Sequence, residues 1–241
     1  MSGWKKKRWL WALAGILFWG VVLHGREQGV RTGAAADTVN TGVRDEDGEQ
    51  DEVSPQESKK IALTFDDGPH PVYTEQMLEV LEEAQIPATF FLLGQNIEGR
   101  EELVREIAQK GHLIGNHTFH HVQITGLPRE QAYEEIKKTS DLIEELTGRG
   151  TEYVRPPFGT WNEGLESELD LIPVMWTIDT LDWTTQNVDS VVNQVVNNAG
   201  EDDIILMHDS YQSTVQAVKR IVELLKADGF EFVTVDEVLF D

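Results

Sequence analysis

The chain has 241 residues, with 43 Asp plus Glu against 20 Lys plus Arg, a formal net charge of −23 and no cysteine. That length suits one large domain or two small ones. The charge excludes nucleic acid as a partner, because affinity for it comes from basic residues that neutralise phosphates; the lack of cysteine excludes disulfides, cysteine-ligated metals and a thiol nucleophile.

At the N-terminus, Lys5-Lys6-Lys7-Arg8 precede an uncharged apolar run over 9–23. This is the layout of a secretory signal or a membrane anchor. Trp4, Trp9, Trp11 and Trp19 lie here, where an indole can straddle a headgroup interface. No small-x-small site closely follows Leu23, which favours an uncleaved anchor over 1–24 with the bulk of the chain outside the cytoplasm; Ala34-Ala35-Ala36 is the alternative release point. Residues 25–58, centred on Asp45-Glu46-Asp47-Gly48-Glu49-Gln50-Asp51-Glu52, hold almost no large apolar side chain. Such a stretch buries too little surface to offset its ordering entropy and reads as a disordered acidic linker.

From residue 59 onward, short β-branched or aromatic runs alternate with segments of helical periodicity. Strands are predicted at 61–65, 89–93, 112–115, 153–155, 173–177, 204–207 and 230–233, and helices near 74–84, 100–110, 129–146, 162–169, 188–198 and 214–227. Alternation of this kind implies parallel pairing, in a (β/α) barrel with fewer than eight strands or an open doubly wound sheet. Either architecture collects its chemistry at the carboxyl ends of the strands, and the unusual polar residues fall there. Asp66-Asp67 follow the first strand, Asn116-His117 the third, Arg155 ends the fourth, Asp179 and Asp182 follow the fifth, and His208-Asp209 the sixth.

Two adjacent carboxylates repel unless a cation or a proton lies between them. Asp66 and Asp67 therefore suggest one acid on a metal and one free for proton transfer, with a helix cap or Asx-turn as the plainer alternative. His117-Thr118-Phe119-His120-His121 supplies further ligands: His117 with His121 lie one helical turn apart, and His117 with His120 is also geometrically allowed. Two histidines and Asp67 make a set that suits zinc and leaves a coordination position open, with cobalt, manganese or nickel as alternatives. Asp209, Ser210 and Ser213 read as helix N-cap material.

These motifs resemble the polysaccharide deacetylase family, carbohydrate esterase family 4, or NodB homology domain. The resemblance runs over about 59–241 through five blocks in order: Thr64-Phe65-Asp66-Asp67-Gly68-Pro69, His117-Thr118-Phe119-His120-His121, Arg155-Pro156-Pro157-Phe158-Gly159, Asp179-Thr180-Leu181-Asp182-Trp183 and Leu206-Met207-His208. It implies a distorted (β/α) barrel of about seven parallel strands. It also implies Asp66 as catalytic base, Asp67, His117 and His121 as metal ligands, and His120 turned away. His208 becomes the acid that protonates the leaving amine, held by Asp182; Arg155 pairs with Asp66, the main-chain N–H of Phe158 donates to the oxyanion, and Trp183 and Leu206 form apolar walls. Many members carry Tyr where this chain has Phe158, a difference that leaves a backbone donor untouched.

The implied activity is metal-dependent removal of N-acetyl groups from an extracellular glycan, with peptidoglycan N-acetylglucosamine first, chitin oligomers second and O-acetylated xylan third. A non-catalytic glycan-binding wall protein is the reading from another class; a missing ligand, base or acid would favour it, and none is missing. A serine hydrolase is a weaker reading still, because no Gly-x-Ser-x-Gly elbow occurs. Nothing in the sequence indicates an oligomer, so a monomer is expected, associated with the membrane through residues 1–24. Residues 59–241 hold 13 basic and 34 acidic residues, so the acidity belongs to this domain. Glu82, Glu83, Glu134, Glu135, Glu144 and Glu145 read as a solvated helix surface, suited to a saline or alkaline exterior or to a cationic, partly deacetylated glycan.

Overall fold

The computed structural model describes residues 59–161 and 164–240. The expected anchor (1–24) and linker (25–58) lie outside the described residues, and within the described ones no helix is long and apolar enough to cross a membrane. The strands are β1 (Lys59–Asp66), β2 (Thr89–Leu92), β3 (Leu113–Asn116), β4 (Tyr153–Val154), β5 (Ile172–Pro173), β6 (Ile178–Asp179), β7 (Asp203–His208) and β8 (Phe230–Val233). Every pairing is parallel. The sheet runs β5-β4-β3-β2-β1-β7-β6.

Strand β1 is the axis of this sheet. It pairs with β7 along one side, and on the other with β8 at Lys59 to Ala62 and then with β2 from Thr64. The strand expected at 173–177 is present as two short pieces at opposite edges of the sheet. Val174 N–H donates to the Val154 carbonyl (2.8 Å) and Thr177 N–H to the Ile204 carbonyl (2.9 Å), so one stretch of chain leaves the β4 edge and arrives at the β7 edge. The sheet is thereby curled into a half-barrel whose two edges are joined by the chain itself.

The pleat sorts the strand residues into two populations. Ile61, Leu63 and Phe65 of β1, Phe90 and Leu92 of β2, and Ile205 and Met207 of β7 face outward into the main core. There they meet α1 (Tyr73–Ala84), α3 (Glu101–Gln109), α7 (Val188–Val196) and α8 (Gln212–Ala227). Buried Met77, Leu78 and Leu81 of α1, and Val218, Ile221, Val222 and Leu225 of α8, follow the helical spacing that turns one stripe to a sheet. The alternate residues Ala62, Phe91, Tyr153 and Ile204 face inward with Val174, and Val235 of α9 (Val235–Phe240) closes the end where the strands begin. A third cluster packs α4 (Arg129–Thr147) on Val154, Leu165 and Leu171.

The predicted helices are present, the one expected at 162–169 as α5 (Glu166–Leu169), with 162 and 163 outside the described residues. The sequence gives no sign of α2 (Gly94–Ile97), α6 (Asp182–Thr185) or α9, because none is long enough to show a period.

The inward face is filled tightly enough to specify Gly115: a Cβ there would overlap the edge of the Phe91 ring. Gly115→Ala is expected to destabilise the protein by about 1–3 kcal/mol, the cost of overpacking a full interior. A lowered urea midpoint, partly restored by adding Phe91→Leu, is the measurement.

Candidate active site

Because all strands run the same way, their carboxyl ends share one mouth, and the inward rows end there in polar residues. Ala62 and Thr64 on β1 lead to Asp66, Gly115 on β3 leads to His117, Tyr153 on β4 leads to Arg155, and Ile204 and Leu206 on β7 lead to His208. The mouth opens into a cleft of about 390 Å³. Asp66, Asp67, His117, His121, Phe158, Trp183, Leu206 and His208 line it, so these predicted residues come together. Arg155 and Asp182, fully buried, stand behind Asp66 and His208. Trp176 and Tyr211 also line the cleft. The motifs did not single these two out, since an aromatic beside a strand end reads as core.

The turns carrying the site are conformationally demanding. Asp67, Thr118, His121, Phe158 and Leu181 all have left-handed backbones, with φ between 53° and 71°. A side chain disfavours this region, and such residues persist where the surroundings over-determine them. Around Asp67 the surroundings do so: its carbonyl accepts from Asn96 Nδ2 (2.8 Å), and the next carbonyl, of Gly68, accepts from Leu93 N–H (2.9 Å).

Asp67, His117 and His121 present one ligand atom each within 4.8 Å of one another. Nε2 of His117 and Nε2 of His121 both lie 3.5 Å from Asp67 Oδ1. Tetrahedral coordination with bonds of about 2.1 Å separates ligand atoms by roughly 3.4 Å, so the spacing fits a small divalent cation such as zinc. The chemistry of the individual atoms fits as well. Asp67 Oδ1 is buried without a hydrogen-bond partner. His117 Nδ1 donates to the Arg155 carbonyl (2.6 Å), which fixes the tautomer with a bare Nε2. Burial holds the His121 imidazole below its ordinary pKa despite the nearby Asp67 charge, favouring the neutral form that binds metal. His120 faces away, its ring and its N–H both bonded to Glu135 of α4 (2.8 and 2.9 Å).

The buried Asn116 shapes the histidine turn. Its Nδ2 donates to the Ile136 carbonyl and Ser140 Oγ of α4, and its Oδ1 accepts from Thr118 N–H. An Asn ending a buried strand is a sign of such a tie, though the sequence does not say to what.

Asp66 lies 3.7 Å from His117 Nε2 and is held from below by Arg155, whose Nη1 donates to Asp66 Oδ1 (2.8 Å) and Thr64 Oγ1 (2.6 Å). Arg155 also donates to the Val174 and Met175 carbonyls and stacks on the Phe91 ring at 4.2 Å. It is a barrel-interior residue with no solvent exposure.

Asp182 accepts four hydrogen bonds: from His208 Nδ1 and Trp183 N–H at Oδ1, and from His208 N–H and Thr214 Oγ1 at Oδ2. Burial depresses the His208 pKa, but the Asp182 bond and charge, helped by Asp66 and Asp67, outweigh it and raise the imidazole to about 9. This ion pair stabilises the fold fully below the ordinary value of 6.5, and its contribution is lost as pH rises through about 9. Trp183 is 52% exposed and Phe158 65% exposed, so both aromatic rings form the rim of the cleft rather than core.

The N-cap expectation for Asp209 and its neighbours is corrected. α8 starts at Gln212 behind Tyr211, with no side-chain cap. Asp209 is fully buried beneath Gly68, its Oδ2 accepting from Thr74 Oγ1 and its Oδ1 without a partner. Burial, with the Asp67 charge adding to it, pushes its carboxyl up to about 7 against the lowering effect of Thr74. Ser213 Oγ is likewise buried and caps nothing.

The family model described as polysaccharide deacetylase matches residues 54–173. The chain is 37% identical over 180 residues to the peptidoglycan-N-acetylmuramic acid deacetylase PdaC of Bacillus subtilis, covering 75% of this chain and 38% of that protein. The solved structure of PdaC superposes with a TM-score of 0.73 at 36% identity, over 76% of this chain and 91% of the solved one. A peptidoglycan-N-acetylglucosamine deacetylase of Bacillus cereus is 36% identical, over 77% of this chain and 90% of its own length. A chitooligosaccharide deacetylase of Rhizobium leguminosarum bv. trifolii is 40% identical, over 72% and 89%. The chain thus spans less than two-fifths of the PdaC protein but nearly the whole of the shorter relatives.

The triad geometry predicts one zinc equivalent per chain by calorimetric titration. His121→Ala or Asp67→Ala should abolish stoichiometric binding, while His120→Ala should leave it unchanged; loss with the His120 variant would reassign the third ligand.

Proposed function

Because the chain belongs to the polysaccharide deacetylase family, we propose that it hydrolyses N-acetyl groups of an extracellular glycan, with N-acetylglucosamine of peptidoglycan as the substrate sugar. The observation that carries this reading is the meeting, in one cleft, of an Asp-His-His ligand set, an arginine-paired carboxylate and an aspartate-paired histidine.

A divalent cation at Asp67, His117 and His121, zinc before cobalt or manganese, would supply water activation and carbonyl polarisation. Asp66, oriented by its hydrogen bond from Arg155, takes the proton of the attacking water as its oxygen bonds to the acetyl carbon. The main-chain N–H of Phe158 donates to the oxygen of the tetrahedral intermediate. His208 delivers a proton from Nε2, the nitrogen that Asp182 leaves free, to the departing nitrogen as the C–N bond breaks, so that acetate and a free amine result. Leu206 walls the acetyl methyl, and Trp183 and Phe158 offer ring faces to the sugar. Asp66 and His208 are register partners across β1 and β7, so base and acid arise from adjacent strands, each oriented by its own buried partner.

Two features favour this substrate over its competitors. An amide leaving group needs a proton far more than an alkoxide does, and His208 is built to hold one, which favours an amide over acetylxylan. Among the described residues, the cleft lining contains Asp66, Asp67 and Asp179 but neither Lys nor Arg. A lactyl carboxylate would find no side-chain cation of that kind there, which favours N-acetylglucosamine over N-acetylmuramic acid. Chitin oligomers carry the same sugar and remain the second reading. An anchor over residues 1–24, with 25–58 as spacer, would hold the domain (59–241) outside the membrane as a monomer within reach of the wall.

The full chain with zinc is expected to release acetate from de-O-acetylated peptidoglycan, at a lower rate from chitin oligomers and least from acetylxylan, and to stop on chelation. Asp66→Asn should reduce kcat by about 10²–10⁴-fold while retaining the metal; loss of metal there would exchange the roles of the two aspartates.

The protonated fraction of His208 falls as pH rises through about 9, so kcat should decline there. Asp182→Asn removes the anion that holds the proton, and the alkaline limb should move to lower pH. An unmoved limb would mean that His208 is not the acid.

A further inference from the structure

Asp209 is an expensive group to bury. It has no exposure, one of its oxygens lacks any partner, and the other accepts only from Thr74 and its own N–H. Buried polar atoms are almost always paired, and an exception calls for an explanation. Its position supplies one. A methyl group at Gly68 would lie 2.7 and 2.9 Å from the two Asp209 carboxylate oxygens, so the carboxyl group forms the floor under the residue that follows Asp67. Gly68 is not itself in the left-handed region, so what excludes a larger residue there is the carboxyl group.

Thr74 extends the floor. Its hydroxyl donates to Asp209 and accepts from His70 N–H (2.7 Å), tying α1 to the far side of the same turn. From the β2 side, Asn96 and Leu93 hold the carbonyls of Asp67 and Gly68. Asp67, at φ 71°, is thus gripped from one side by hydrogen bonds and from beneath by Asp209. A left-handed aspartate needs such confinement, since its carboxylate would otherwise swing away with its backbone.

We propose that Asp209, with Thr74, is a positioning residue that holds the Asp67-Gly68 turn in the geometry required for metal binding. This rests on the reading that Asp67 is a metal ligand. The role belongs to the shape and hydrogen bonding of the side chain.

Zinc affinity of the full chain by calorimetric competition with a chelator, at a temperature where circular dichroism shows every variant folded, tests this without recourse to turnover. Asp209→Ala is expected to weaken zinc by about 10- to 100-fold, the usual cost of losing a partner that orients a ligand. Asp209→Asn, which keeps the volume and the acceptor for Thr74, should stay within about threefold of the parent on the same reasoning. Gly68→Ala should weaken zinc by about tenfold alone yet add nothing to Asp209→Ala, because the methyl then enters vacated space.

Unchanged affinity in Asp209→Ala, additive losses in the double variant, or an Asn variant as weak as the Ala one would each overturn the proposal. Should Asp209→Ala fail to fold, Thr74→Val carries the test: a loss of at least about threefold supports the proposal and none overturns it. A parent chain that binds no zinc would remove the metal-site reading itself, and the positioning role with it; that outcome is distinct from a parent that binds while its variants are unchanged.

Discussion

The buried pair of Arg155 with Asp66 is the constraint on which the rest of the site depends. A guanidinium with no solvent exposure must satisfy its donors inside the protein. It does so by joining three parts of the barrel: Asp66 and Thr64 on β1, its own position at the end of β4, and the Val174 and Met175 carbonyls of the segment that bridges the open edges. The Arg155 carbonyl meanwhile fixes His117. One residue therefore orients Asp66, fixes the tautomer of His117 and ties the closure of the half-barrel. Removing either member of such a pair leaves an uncompensated buried charge, at a cost of about 3–5 kcal/mol.

A second pair repeats the arrangement on β7, where Asp182 grips both the ring and the backbone of His208. The two pairs push their groups towards opposite tasks. Asp66 accepts a hydrogen bond from a buried cation, and His208 faces an anion that raises its pKa to about 9 and keeps it a donor. Under the proposed function, opposite charges behind the two groups are what would distinguish an acid from a base in one site. Because both groups end adjacent strands, the separation of roles comes from the partners behind them.

Much of this was legible in the sequence, for a reason particular to parallel α/β folds. Strand ends gather at one mouth, so polar residues after apolar runs mark a site before any coordinates exist. Asp66, Asp67, His117, Arg155 and His208 were found this way, and the choice between His120 and His121 came from resemblance to a family. Asp209 was misread because a polar residue ahead of a helix has the pattern of a cap; here the helix starts three residues later, at Gln212, and the carboxyl group turns inward beneath Gly68. Asn116 was flagged by its place at a strand end but its ties to α4 were not legible, and Trp176 and Tyr211 were missed because an aromatic near a strand end carries no local signal.

The sequence by itself determined the alternation of strands and helices, the cysteine-free ligand chemistry and the order of the motifs, because each is written in residue type and short-range period. Only the tertiary structure decided which polar groups confront one another: Arg155 beneath Asp66, Asp182 behind His208, and Asp209 under the turn that carries Asp67. These contacts join residues 26 to 89 positions apart where hydrogen-bonded. They arise from the inward half of the strand pleat and the curl of the sheet, and no local pattern along the chain encodes which inward row will meet which.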